Sequence, residues 1–145
     1  MASACDPSDP SAISFELEPV SENAAVARQA IERLVDSCGL EAAGAAARLV
    51  VTEAFTNATR HAYQKKGYRA PITVSARRCG ESLEISVRDR GSGIRPRPMA
   101  RGEGGRLGLL MIAAVSEFVQ IARVPDGGTE LKARISPDGA LGAED

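Results

Sequence analysis

The 145-residue chain has no long uninterrupted apolar stretch, and its 19 acidic side chains nearly balance 18 basic ones. The first absence excludes a membrane-spanning helix. The second, a formal net charge of −1, argues against a general nucleic-acid binder. The start, residues 1–10, has no basic segment followed by an apolar block, so it reads as a loose leader and not as a secretory signal. Cysteine is scarce: Cys5, Cys38 and Cys79 are far apart, odd in number and form no C-x-x-C pair. That spacing argues against a disulfide framework or a zinc site and suggests ordinary reduced thiols in a cytoplasmic protein. No G-x-x-x-x-G-K-[ST] phosphate loop occurs, and neither H-R-D nor D-F-G is found. Those families of phosphate-handling enzymes are thereby set aside.

The apolar fraction, 43%, and the charged fraction, 26%, are those of an ordinary globular domain. Ile13, Phe15 and Leu17 alternate with polar residues, the period of a half-buried strand. Ala27, Ala30, Ile31, Leu34, Val35 and Cys38 recur at three- and four-residue steps and give one apolar helix face, with Gly39 as a stop. A second helical pattern runs from about residue 41 to 63. Ile72, Val74 and Ala76, then Leu83, Ile85 and Val87, alternate as two strands of a hairpin. From Arg90 to Arg106 the chain is rich in Gly, Pro and Arg without an apolar period. A loop of that length in so small a domain is usually functional. A helix from about Leu107 to Val115 and strands over 118–122 and 129–135 complete the order. Neighbouring hairpin strands predict a largely antiparallel sheet covered on one face by helices, a two-layer α/β sandwich. Residues 11–136 read as one domain and 137–145 as a flexible tail.

Four segments carry polar chemistry where packing alone would not place it. Glu53, Asn57 and His61 stand at i, i+4 and i+8, so they line one side of the second helix. Asn57 and His61 fall within or at the edge of its apolar arc, and Glu53 just outside. Polar groups there need partners; a network closed within the protein and a ligand site both supply them. Asp89 continues the inward face of Leu83, Ile85 and Val87 as an acceptor in want of a donor. It is followed by Gly91 and Gly93, which allow close backbone approach or simply a turn. Gly102-Glu103-Gly104-Gly105-Arg106-Leu107-Gly108-Leu109 opens a helix. Free N–H groups and the positive dipole end suit phosphate there, with Arg95, Arg97, Arg101 and Arg106 nearby. Gly127-Gly128-Thr129 begins the last strand and taken alone is a hairpin turn.

In this order the four segments resemble the signature of the GHKL (histidine kinase-like) ATPase superfamily. Glu53-x-x-x-Asn57-Ala-x-x-His61-Ala-Tyr63 resembles its N box. Asp89-x-Gly91-x-Gly93 resembles its first glycine box, Gly105-x-Leu107-Gly108-Leu109 the second, and Gly128-Thr129 the third. Within the superfamily the chain looks like the stand-alone anti-sigma factor serine/threonine kinases of the RsbW and SpoIIAB type. A lone catalytic domain, a short lid and the phrase His61-Ala62-Tyr63 favour that branch. Arg106 departs from it, standing where some relatives carry another glycine.

The resemblance implies the Bergerat fold, with ATP and Mg²⁺ as cofactors. It implies Asn57 as the main protein ligand of Mg²⁺ and Glu53 as general base. Asp89 would accept from the adenine amino group, and Thr129 would support that contact through water. Gly91, Gly93, Gly105, Leu107, Gly108 and Leu109 would line the nucleotide, and His61 would reach phosphate or lid. The implied activity is phosphoryl transfer to a Ser or Thr of an anti-anti-sigma, STAS-type partner, coupled to sequestration of a sigma factor. The implied assembly is a homodimer with no direct nucleic-acid or membrane contact. A nucleotide-binding module without transfer, and a stand-alone histidine-kinase-like ATPase domain, are the competing readings.

Overall fold

A computed structural model describes residues 11–61, 70–91, 104–125 and 127–137, and only the backbone of His61 and residues 104–107. Its strands are β1 (Ala12–Leu17), β2 (Ile72–Cys79), β3 (Ser82–Asp89), β4 (Phe118–Arg123) and β5 (Thr129–Ile135). Its helices are α1 (Asn23–Ser37), α2 (Gly44–His61), which follows a short 3₁₀ turn over Glu41–Ala43, and α3 (Gly104–Val115). The five strands form one sheet in the order β1-β2-β3-β5-β4. Every neighbouring pair is antiparallel, as the alternating hairpin patterns predicted.

One face of this sheet is the core. Ile72, Val74 and Ala76 of β2, Leu83, Ile85 and Val87 of β3, and Leu131, Ala133 and Ile135 of β5 all point inward. They meet Ile31, Leu34 and Val35 of α1, Val50, Val51, Ala54 and Phe55 of α2, and Ile112 and Val115 of α3. Burying each such Val, Leu, Ile or Phe contributes about 1.5–3 kcal/mol, which holds the helices against the sheet. The other face carries paired polar groups: Ser14 Oγ lies 3.1 Å from Ser75 Oγ, Ser86 Oγ donates to Glu130 at 2.6 Å, and Arg77 and Arg134 flank the buried Glu84. An antiparallel sheet with one packed face and one polar face needs no second helical layer.

The element ends follow local chemistry. Gly39 adopts φ 71° after α1. Its N–H bonds Asp36 O, and the Leu40 N–H bonds Val35 O. This paired closure of the last turn favours a residue with no side chain at the left-handed position. The β2–β3 link turns through Gly80, φ 63°, as the hairpin reading anticipated. β4 lies parallel to β3, because each is antiparallel to the β5 strand between them. Such a return needs a crossover, and α3 supplies it.

Two expectations change. The helix placed at about Leu107 begins at Gly104, so part of the glycine-rich segment is helical and not loop. Cys38 is a free thiol, but Cys79 is disulfide-bonded. Spacing rules detect clustered cysteines and are blind to a single long-range link, so an ordinary thiol was expected there.

Candidate functional site

The site is built around the C-terminal half of α2. Asn57 is 4% exposed, inside the apolar arc where its helical phase placed it. Its amide nitrogen is buried and finds no hydrogen-bond partner among the described residues. An unpaired buried amide costs about 1–3 kcal/mol, a cost that a ligand carrying an acceptor would relieve. The two ends of a carboxamide are interchangeable by rotation. Turned over, the same side chain presents a carbonyl oxygen. One turn earlier stands Glu53, half-buried, about 5–6 Å away along the axis by helical rise.

α3 packs against α2, and a glycine of α3 faces Glu53. A methyl group on Gly108 would stand 2.6 Å from Glu53 Oε1, well inside van der Waals contact. Gly108 therefore leaves room for the Glu53 carboxylate beside α3. Leu109 packs on the core beside it.

A second cluster lies at the end of β3, over which α2 also packs. Asp89 is 3% exposed and pairs with Thr129 at the head of β5. The Gly91 N–H donates to Asp89 Oδ1 at 3.0 Å, an Asx turn that fixes the carboxyl. Burial raises the Asp89 pKa, and hydrogen bonds from the backbones of Gly91 and Thr129 partly offset that rise. Gly128 closes over this corner, for a side chain there would collide with the Asp89 carbonyl. Thr129 itself is buried.

Several expected residues receive no side-chain description. Gly93 and the arginines Arg95, Arg97 and Arg101 lie outside the described residues. Gly105, Arg106 and Leu107 belong to the first turns of α3, and His61 is the last residue of α2; their side chains are likewise outside. The structure thus brings Glu53 to Gly108, and Asp89 to Gly91, Gly128 and Thr129. It leaves Asn57 buried with open bonding capacity. Arg90, which sequence reading passed over, is bonded to two other segments: its guanidinium reaches Pro71 O and Glu16 Oε2, both at 3.1 Å.

A separate depression of about 370 Å³ on the polar sheet face is lined by Ser14, Ser75, Arg77, Glu130 and Lys132 among others. It shares no residue with these clusters. No group of three or more His, Cys, Asp or Glu side chains among the described residues could hold a metal. A metal at Asn57 would therefore rely on one amide oxygen plus ligands brought by a substrate. That arrangement fits Mg²⁺, which commonly takes one or two protein oxygens, waters and phosphate oxygens. No described helix is long and apolar enough to cross a membrane.

Comparison with known proteins gives this geometry its context. The sensor histidine kinase PdtaS of Mycolicibacterium smegmatis is 32% identical over 92 residues, covering 60% of this chain and 18% of that protein. The RsbU and RsbW domains of a Mycobacterium tuberculosis protein share the fold, with a TM-score of 0.67 and 21% identity, over 86% of this chain and 32% of that one. The histidine kinase domain of a blue-light activated kinase of Erythrobacter litoralis gives a TM-score of 0.50 at 22% identity, over 64% of this chain and 44% of that one. The chain spans less than a fifth of the curated relative and about a third of the first of these solved structures. The histidine kinase-like ATPase domain family matches residues 17–135, from the end of β1 to the end of β5, and the chain belongs to that family.

Proposed function

We propose that this chain is an ATP-dependent serine/threonine protein kinase of the anti-sigma factor type. The observation that carries the reading is the buried, unpartnered amide of Asn57 one helical turn from a Glu53 carboxylate seated against α3. A closed polar network would have paired that amide, whereas a bound nucleotide would bring acceptor oxygens to it. Residues 11–136 form the kinase domain on this reading.

The chemistry follows from the residues. Asn57 would hold Mg²⁺ through its carbonyl oxygen, and the ion when bound neutralises charge on the phosphates. Asp89 accepts a hydrogen bond from the adenine amino group, Thr129 supports it through water, and Gly91 fixes the carboxyl. Gly105, Leu107, Gly108 and Leu109 border the phosphates at the α3 N-terminus, where backbone N–H groups and the dipole favour anions. His61 would reach phosphate or lid, and Gly93 would line the nucleotide with Gly91. A partner's Ser or Thr hydroxyl attacks the γ-phosphorus and Glu53 takes its proton. The bond from the γ-phosphorus to the bridging oxygen breaks, and ADP leaves. The partner is an anti-anti-sigma protein of STAS type, which when unphosphorylated draws the kinase from a sigma factor. Nucleotide state then selects between the two partners through its differing affinity for each complex.

A second reading has one observation in its favour: the sequence likeness to a sensor histidine kinase. A domain of that kind would deliver phosphate to a histidine of another protein. The test is transfer of labelled γ-phosphate from ATP to purified STAS-type acceptors, followed by acid treatment. Phosphoserine or phosphothreonine survives acid and phosphohistidine does not. In parallel, Asn57→Ala should abolish the Mg²⁺ dependence of ATP binding, and Asp89→Asn the preference for adenine. Wild-type binding by both variants would remove these assignments.

A further inference from the structure

Arg90 stands between the buried Asp89 and Gly91, where a simple turn would need no particular side chain. Its guanidinium instead spans the ends of three strands. One nitrogen donates to Pro71 O, just before β2, at 3.1 Å. The other pairs with Glu16 Oε2, on the edge strand β1, at 3.1 Å. Gly128 lies close to the same backbone: a methyl there would stand 3.0 Å from Arg90 Cα. The backbone around the Gly91 N–H is thus anchored by the Arg90 side chain and lies close to Gly128. A planar, forked guanidinium suits two acceptors in different directions, whereas a lysine ammonium offers a single point charge.

We propose that Arg90 is a positioning residue for base recognition, strapping the first glycine box to β1 and β2 so that the Gly91 N–H holds the Asp89 carboxylate in its adenine-reading orientation. The inference rests on the nucleotide reading above and deepens it. Without the strap, the Arg90–Gly91 backbone can draw away and the carboxylate can rotate off its donor. Contacts to phosphate, made elsewhere in the fold, are untouched. The loss falls on adenine selectivity and not on nucleotide binding as such.

The experiment measures ATP and GTP affinities of the full chain by calorimetry, with Mg²⁺, for wild type, Arg90→Ala, Arg90→Lys, Glu16→Gln and Asp89→Asn. Thermal denaturation of each variant runs alongside. Arg90→Ala is expected to weaken ATP about tenfold, the scale of one charge-assisted hydrogen bond, while GTP affinity stays within about twofold. Arg90→Lys and Glu16→Gln should fall between. Glu16→Gln leaves the loop itself intact, so it carries the test if Arg90→Ala fails to fold. If Asp89→Asn loses the ATP preference but Arg90→Ala and Glu16→Gln keep it, or weaken both nucleotides equally, the strap is refuted and the site assignment stands. If Asp89→Asn itself retains the preference, the adenine assignment fails and the strap with it.

Discussion

Replacing Gly108 by alanine isolates the role of Glu53 with the least chemistry. The new methyl would lie 2.6 Å from Glu53 Oε1, short of ordinary contact, which begins at 3.4 Å, by about 0.8 Å. The nearest obstacle is the tip of a side chain and not backbone, so the carboxylate can swing away. An off-rotamer adjustment of that kind costs about 0.5–1.5 kcal/mol. Alanine in a helix interior returns about 1 kcal/mol over glycine. The two nearly cancel, so the midpoint of thermal or urea unfolding should move by no more than about 1 kcal/mol equivalent. Catalysis has no such compensation. A displacement near 1 Å of a positioned group costs about a hundredfold in rate. At saturating ATP, phosphoryl transfer, or basal ATP turnover, should fall by roughly that factor. Unchanged turnover in a variant that folds and binds ATP normally would refute the placement of the reactive carboxylate against α3. A stability loss beyond about 3 kcal/mol would show that Glu53 is packed too rigidly to be a mobile base.

Asp89→Asn should stabilise the empty protein at neutral pH, because it removes a buried charge while keeping an acceptor for the Gly91 N–H. The sign follows from the raised pKa: wild type is not penalised below the ordinary carboxylate value of 3.8, then loses stability as the pH climbs through the folded-state pKa. The difference between variant and wild type in chemical denaturation should therefore grow from near zero in acid to a plateau above that pKa, and a flat difference would contradict it. Gly128→Ala differs in kind from Gly108→Ala. Its methyl meets the Asp89 carbonyl and the Arg90 Cα, both backbone, so no rotamer relieves it. A loss of about 1–3 kcal/mol is expected in urea unfolding together with lost ATP binding, and a neutral effect would contradict the closeness of β5 to this corner.

Much of this architecture is legible in the sequence where burial imposes a period. The alternation at Ile72–Val74–Ala76 and Leu83–Ile85–Val87 marks β2 and β3, and helical phase alone turns Asn57 inward. Asp89 is found because a carboxylate continues an apolar row. What escapes is set by tertiary pairing. The insertion of β5 between β3 and β4 leaves no local trace, since hairpin strands look alike whichever neighbour they take. The closeness of Gly108 to Glu53 depends on how α3 packs on α2, and Gly108 in sequence reads only as part of a glycine-rich helix start suited to phosphate. α3 starts within two consecutive glycines, against their poor helix propensity, because packing on α2 outweighs it. Arg90 carries no periodic signal of its own. Its partners, Glu16 and Pro71, come from distant stretches that only the sheet brings together.

The pairing of Asp89 with Thr129 joins the middle of the chain to its last strand, and this fixes when the nucleotide pocket can exist during folding. An emerging chain lacking residues 129–135 has the helix bearing Glu53 and Asn57 but no wall beside Asp89. ATP would then bind only the finished domain, and saturating it at a hundred times Kd would add about 2.7 kcal/mol to global stability. For a small domain with such late closure, the cell's ATP supply would double as a guardian of the folded state.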